Sequence, residues 1–140
     1  MGATLPKKYV KKEDWSKKRA TQARSSWRRR AKTLKSNLDD IPSRKDIQDW
    51  LDKQVPYKCY ITNCELSHNL IELDHKIPVS RGGSFKLDNI GLTTKRLNNI
   101  KGNMTYVEFK KLLKLISRWD DCGASLLNRL YASSTVFRRK

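Results

Sequence analysis

Leu73-Asp74-His75-Lys76-Ile77-Pro78, followed by Arg81-Gly82-Gly83, Asp88-Asn89-Ile90 and Asn98-Asn99-Ile100-Lys101-Gly102, is the stretch that decides the fold. Leu70 to Ile77 has the composition of a strand, and Arg81-Gly82-Gly83-Ser84 breaks it into a loop. Asn89 to Thr93 reads as a second short strand, and Thr94 to Lys101 as a helix stopped by Gly102. The expected order is strand, loop, strand, helix. Within it, a carboxylate stands beside an imidazole with an amide-bearing helix downstream. Together they offer hard oxygen ligands for a cation and a base that works near neutral pH.

The flanks read as helices. Thr105 and Glu108 have capping-box spacing, and Phe109, Leu112, Leu113 and Ile116 then follow at i, i+3, i+4 and i+7. A further helix is expected over 124–132 from Leu126, Leu127, Leu130 and Tyr131. Upstream, Tyr57 to Thr62 is β-prone and Asn63 to Asn69 turn-like. Ser43 followed by Asp46 opens a short helix, with Ile47, Trp50 and Leu51 on one face, that ends before Pro56. Before Pro42, the residues Ala20, Ala23, Trp27, Ala31, Leu34 and Leu38 mark a thin apolar stripe on a helix from about Asp14 to Asn37. The domain boundaries that follow are 1–45 for a basic helical extension, 46–117 for the core and 118–140 for a helical tail.

The 140 residues carry 31 Lys and Arg against 14 Asp and Glu, a formal charge of +17. Solubility needs far less, so a polyanionic partner is implied, and nucleic acid is the first candidate. Residues 1–45 hold 15 basic and 4 acidic side chains, so the charge is concentrated at the front. The run Arg28, Arg29, Arg30 and Lys32 is therefore expected to meet phosphates without reading sequence. No apolar run is long enough for a membrane span, and Lys7 and Lys8 are not followed by a secretory apolar region. No membrane partner and a cytoplasmic location are expected. Cys59, Cys64 and Cys122 are an odd set that argues against a disulfide framework.

Asp-His-x-x-Pro, Gly-Gly, an Asn opening a second strand and Asn-x-x-Lys-Gly, in that order over about residues 57–113, resemble the HNH endonuclease family. The resemblance implies an α+β fold: a small ββα-metal core flanked by helices, with the basic N-terminal helical extension. It implies a metal-dependent endonuclease that hydrolyses phosphodiester bonds in double-stranded DNA. Asp74 and Asn98 would hold one Mg²⁺ or Mn²⁺, His75 would deprotonate the attacking water, and Asn89 would help orient His75. Arg81 and Lys101 are expected to contact neighbouring phosphates. A compact chain of this kind with basic flanks is similar to those of bacteriophages and mobile elements, where the location would be the host cytoplasm. A monomer would nick one strand at a time, and a homodimer would cut both.

Adjacent residues of an ideal strand point to opposite faces, so Asp74 and His75 can serve one site only where the strand ends. Pro78 and the glycines that follow are consistent with an end there. A structural zinc with two cysteine pairs, common in the family, is not expected, because Thr94 and Leu97 occupy the second pair's positions. His68 reads as an exposed loop residue, and Trp15 and Trp27 as packing anchors. Two alternatives remain: a non-catalytic nucleic-acid-binding module of the same fold, and an HNH-type RNase.

Overall fold

In the computed structural model, which describes residues 12–118 and 127–129, the chain is a mixed α+β protein that divides into two compact units, with the break after Lys53. The first unit holds two helices, α1 (Lys12–Thr33) and α2 (Arg44–Lys53). On α1 the buried positions are Ser16, Ala20, Ala23, Trp27 and Ala31, a stripe at steps of three and four. On α2 they are Ile47 and Leu51, and the two helices pack together. The division places α2 with the basic helix, whereas the sequence boundary at 45 placed it with the core.

Local polar chemistry sets the ends of these helices. The α1 helix stops four residues before Asn37: Lys35 takes a left-handed conformation, and the Ser36 amide donates back to the Ala31 carbonyl at 2.9 Å. Leu34 and Leu38, expected on the buried stripe, are left about 40% exposed. Asn37 then accepts from the Asp39 amide and starts a single 3₁₀ turn, Leu38–Asp40. At α2, Ser43 Oγ accepts from the Asp46 amide while the Asp46 carboxylate accepts from the Ser43 amide and hydroxyl, a reciprocal cap.

The second unit is built on a two-stranded antiparallel sheet, β1 (Ile71–His75) and β2 (Ile90–Thr94), in which Asp74 is opposite Gly91 and His75 opposite Ile90. Helix α3 (Lys95–Lys101) follows β2 without a spacer, because Thr94 accepts from the Leu97 amide as its N-cap. Gly102 ends α3 at positive φ and donates to the Asn98 carbonyl. Helix α4 (Tyr106–Ser117) starts at the full capping box of Thr105 and Glu108, and buries Phe109, Leu113 and Ile116 while Leu112 is 37% exposed.

Residues 57–66 fold back on themselves rather than form a full strand. Cys59 donates to the Cys64 carbonyl and Leu66 to the Tyr57 carbonyl, with one bridge between Lys58 and Glu65 and a left-handed Asn63 at the tip. The Tyr60 amide donates to the Leu92 carbonyl and lays this segment on β2. Of the tail helix expected over 124–132, only 127–129 fall among the described residues, and they are helical. No helix among the described residues is long and apolar enough to cross a membrane.

Candidate active site

His75 is the last residue of β1, so the strand does end at the Asp-His pair. Beyond it the Lys76 amide donates to the Asn89 carbonyl, and the chain leaves the ladder. Both side chains are buried, Asp74 to 7% and His75 to 6% exposure, but they meet different neighbours. The Asp74 carboxylate is engaged through Oδ2, which accepts from the Tyr60 hydroxyl at 2.5 Å and faces Lys101 Nζ at 3.1 Å. The His75 imidazole meets the edge of Phe85 at 5.2 Å between ring centres, and its Nε2 is enclosed.

Lys101 is the least expected member of this cluster. Lysine is among the residues most rarely buried, yet this one is 1% exposed. Its ammonium lies between the Asp74 carboxylate and the His75 carbonyl, to which it donates at 3.0 Å. A lysine so enclosed does not present its charge to a surface phosphate, the role expected from sequence. Instead it ties the end of α3 to the end of β1. Asn98, three residues earlier on α3, is its neighbour on the helix surface and is half-buried.

Tyr60 reaches Asp74 because of Gly91. A Cβ on Gly91 would lie 2.4 Å from the Tyr60 ring, so only glycine opposite Asp74 lets the phenol cross the sheet. Burial, then the hydrogen bond to Asp74, push the Tyr60 phenol well above its ordinary pKa, so it stays a proton donor to the carboxylate. Nothing in the spacing of Tyr60 marked it for this position. The one available signal was the glycine inside a strand.

Asn89 fastens the loop between the strands. Its Oδ1 accepts from the Ile77 amide at 3.0 Å, and its Nδ2 donates to the carbonyls of Ile77 and Ser84. Gly83 sits under this clamp, where a Cβ would fall 1.8 Å from the Ile77 oxygen. Asn89 therefore holds the backbone two residues beyond His75. The loop borders a concavity of about 330 Å³ whose walls include Asn89 and Asp88 but neither Asp74 nor His75.

Arg81, expected on phosphate, makes a two-pronged pair with Glu108 at 2.5 and 2.8 Å and donates to the Asn103 carbonyl. The Arg81 hydrogen bonds, with help from the Thr105 amide, hold the Glu108 carboxyl down at about 2. In the first unit, Arg28, Arg29 and Lys32 line a basic concavity on α1, whereas Arg30 is exposed outside its lining.

Among the described residues no three His, Cys, Asp or Glu side chains converge. A cation at Asp74 would therefore draw on amide, water or phosphate oxygens beside one carboxylate. Cys59 is buried against the Thr93 hydroxyl, and Thr94 and Leu97 serve as helix cap and core. His68 is exposed and meets the edge of the Tyr57 ring. In comparisons with known proteins, the chain matches no family model and no curated protein.

Proposed function

We propose that this protein is a metal-dependent DNA endonuclease of the HNH type, cutting phosphodiester bonds with His75 as the base. The observation that carries the reading is the sequence of elements around one buried carboxylate. Asp74-His75 closes β1, a clamped loop returns as β2, and α3 follows directly and reaches back to Asp74. What supports the reading is that the motif positions Asp74 and His75 close β1, Asn89 precedes β2 and Asn98 lies on α3.

The donor set suits a hard divalent ion. Asp74 and Asn98 would offer a carboxylate and an amide oxygen, and the ion would have to displace the Lys101 ammonium now paired with Asp74. Mg²⁺ or Mn²⁺ held by Asp74 and Asn98 would supply Lewis-acid stabilisation of the charge that develops on the phosphate and the leaving 3′ oxygen. The chain's own residues do the rest. Tyr60 and Lys101 fix the carboxylate, Asn89 and Gly83 fix the loop that follows His75, and Phe85 orients the imidazole. His75 takes the proton of the attacking water as the bond between phosphorus and the 3′ oxygen breaks. Arg81 stiffens the far side of the loop through Glu108 and is an orienting element rather than a free cation.

One observation favours the alternative of a binding module that does not cut: Asp74 already has two partners and His75 is enclosed. Supercoiled plasmid incubated with Mg²⁺, Mn²⁺ or EDTA decides between them. The nuclease reading expects nicked or linear product with either ion and none with EDTA. Binding without cleavage under every condition would leave the module.

A further inference from the structure

A second concentration of charge belongs to the first unit. There Arg24, Arg28, Arg29 and Lys32 of α1 and Arg44 of α2 border one concavity of about 430 Å³, and no carboxylate lines it. Arg24 and Arg44 were not marked by the sequence, since neither belongs to the basic run. Both are half-buried, and both heads are held: Arg24 Nε donates to the Pro42 carbonyl at 3.2 Å and Arg44 Nη1 to Gln48 at 2.6 Å. Each partner is neutral. The guanidinium groups are thus aimed without being neutralised, which is what separates a built anion site from a solvated basic face.

We propose that this cleft is the anchor for the phosphate backbone of duplex DNA, a role that rests on the nuclease reading for its choice of DNA. Its lining runs along α1 from Thr21 to Lys32, about 16 Å at the rise of a helix, which suits a row of phosphates better than one small anion. No aromatic side chain lines it. A site for single strands would be expected to stack bases on aromatic rings, so a wall of basic side chains with the hydroxyls of Thr21 and Ser25 points to a duplex gripped by its backbone. Arg24 and Arg44 are the fixed points, and the exposed Arg28, Arg29 and Lys32 adjust to the strand.

The test is fluorescence anisotropy with a labelled DNA duplex, in EDTA so that nothing is cut, across a series of KCl concentrations with the full chain. The double variant Arg24→Gln/Arg44→Gln should lower the slope of log affinity against log salt by about 1.8, or about 0.9 for each phosphate that is no longer neutralised. Arg30→Gln removes a charge from the same helix outside the cleft and should change the slope less than Arg24→Gln. Arg24→Lys/Arg44→Lys should recover most of the slope, which excludes a mere folding defect. An unchanged slope in the double variant, or equal effects of Arg24→Gln and Arg30→Gln, overturns the cleft. Tighter binding of a single strand or an RNA duplex than of the DNA duplex overturns the partner. Plasmid cleavage with an unchanged slope removes the anchor alone, whereas a reduced slope without any cleavage removes the nuclease reading and leaves the anchor.

Discussion

Replacing Lys101 with methionine keeps the buried stem and deletes the ammonium, leaving the buried Asp74 carboxylate with the Tyr60 hydroxyl as its remaining partner among the described residues. Removing one partner of a buried ion pair costs about 3–5 kcal/mol, because the other charge stays out of water. The short hydrogen bond from Tyr60 still answers part of that charge, so the lower end, about 3 kcal/mol, is expected. In a unit of this size that corresponds to a fall in melting temperature of roughly 12 °C or more. Urea denaturation in EDTA, followed by far-UV circular dichroism, measures it. Lys101→Met/Asp74→Asn, which removes both charges, should recover much of the loss. If Asp74 also takes a divalent ion, Mn²⁺ should raise the melting temperature of Lys101→Met more than that of the unaltered protein. A Lys101→Met protein within about 0.5 kcal/mol of the parent would refute the reasoning, since that is the size of an ordinary surface change.

His75→Ala should keep Mn²⁺ and DNA binding while single-turnover cleavage falls by roughly 10²–10⁴-fold. Asp74→Ala and Asn98→Ala should weaken Mn²⁺ binding by calorimetry as well, and an Asn98→Ala protein with parental metal affinity would remove that residue from the ligand set. Gly91→Ala drives a methyl into the Tyr60 ring and should destabilise by about 1–3 kcal/mol, the range for overpacking; Tyr60→Phe, which loses only the hydrogen bond, should leave β2 undisturbed by NMR where Gly91→Ala shifts it. Because the Glu108 carboxyl is held near 2, its contribution to stability is complete above the ordinary carboxylate range and is lost as pH falls from about 4.5 to about 2. Glu108→Gln should flatten the acid side of the stability curve over that interval, and an unchanged acid limb would show that the Arg81 pair contributes nothing.

The parts of the fold written in local chemistry were legible. Thr105 and Glu108 cap α4 from both directions, Thr94 caps α3 and Gly102 stops it, while β1 ends at His75, two residues before the Ile77 to which its composition extends. What could not be read was the direction in which long side chains turn. Lys101 sits at the end of a helix beside a glycine, where a lysine normally points to water, and its burial depends on Asp74 twenty-seven residues earlier. Arg81 looked available for phosphate because its partner, Glu108, already had a role as a cap. Tyr60 lies in a segment whose β-propensity suggested a strand, but its hydrogen bonds to β2 are set by tertiary context. The end of α1 was overrun for a related reason, since the apolar positions Leu34 and Leu38 continue the period after the backbone has turned.

The loop between β1 and β2 is also stitched to the start of α4. The Tyr106 amide donates to the Lys76 carbonyl at 2.7 Å, Ser80 Oγ donates to the Asn103 side chain, and Arg81 bridges to Glu108. Segments so joined open together rather than singly, as one cooperative unit of local unfolding. Amide exchange at Ile77, Gly83 and Tyr106 would then share a single opening free energy, although one amide is held by a side chain and two by backbone carbonyls. Loosening the first turn of α4 would reach the segment after His75 without touching it, so thermal motion there is governed by a helix cap about thirty residues downstream.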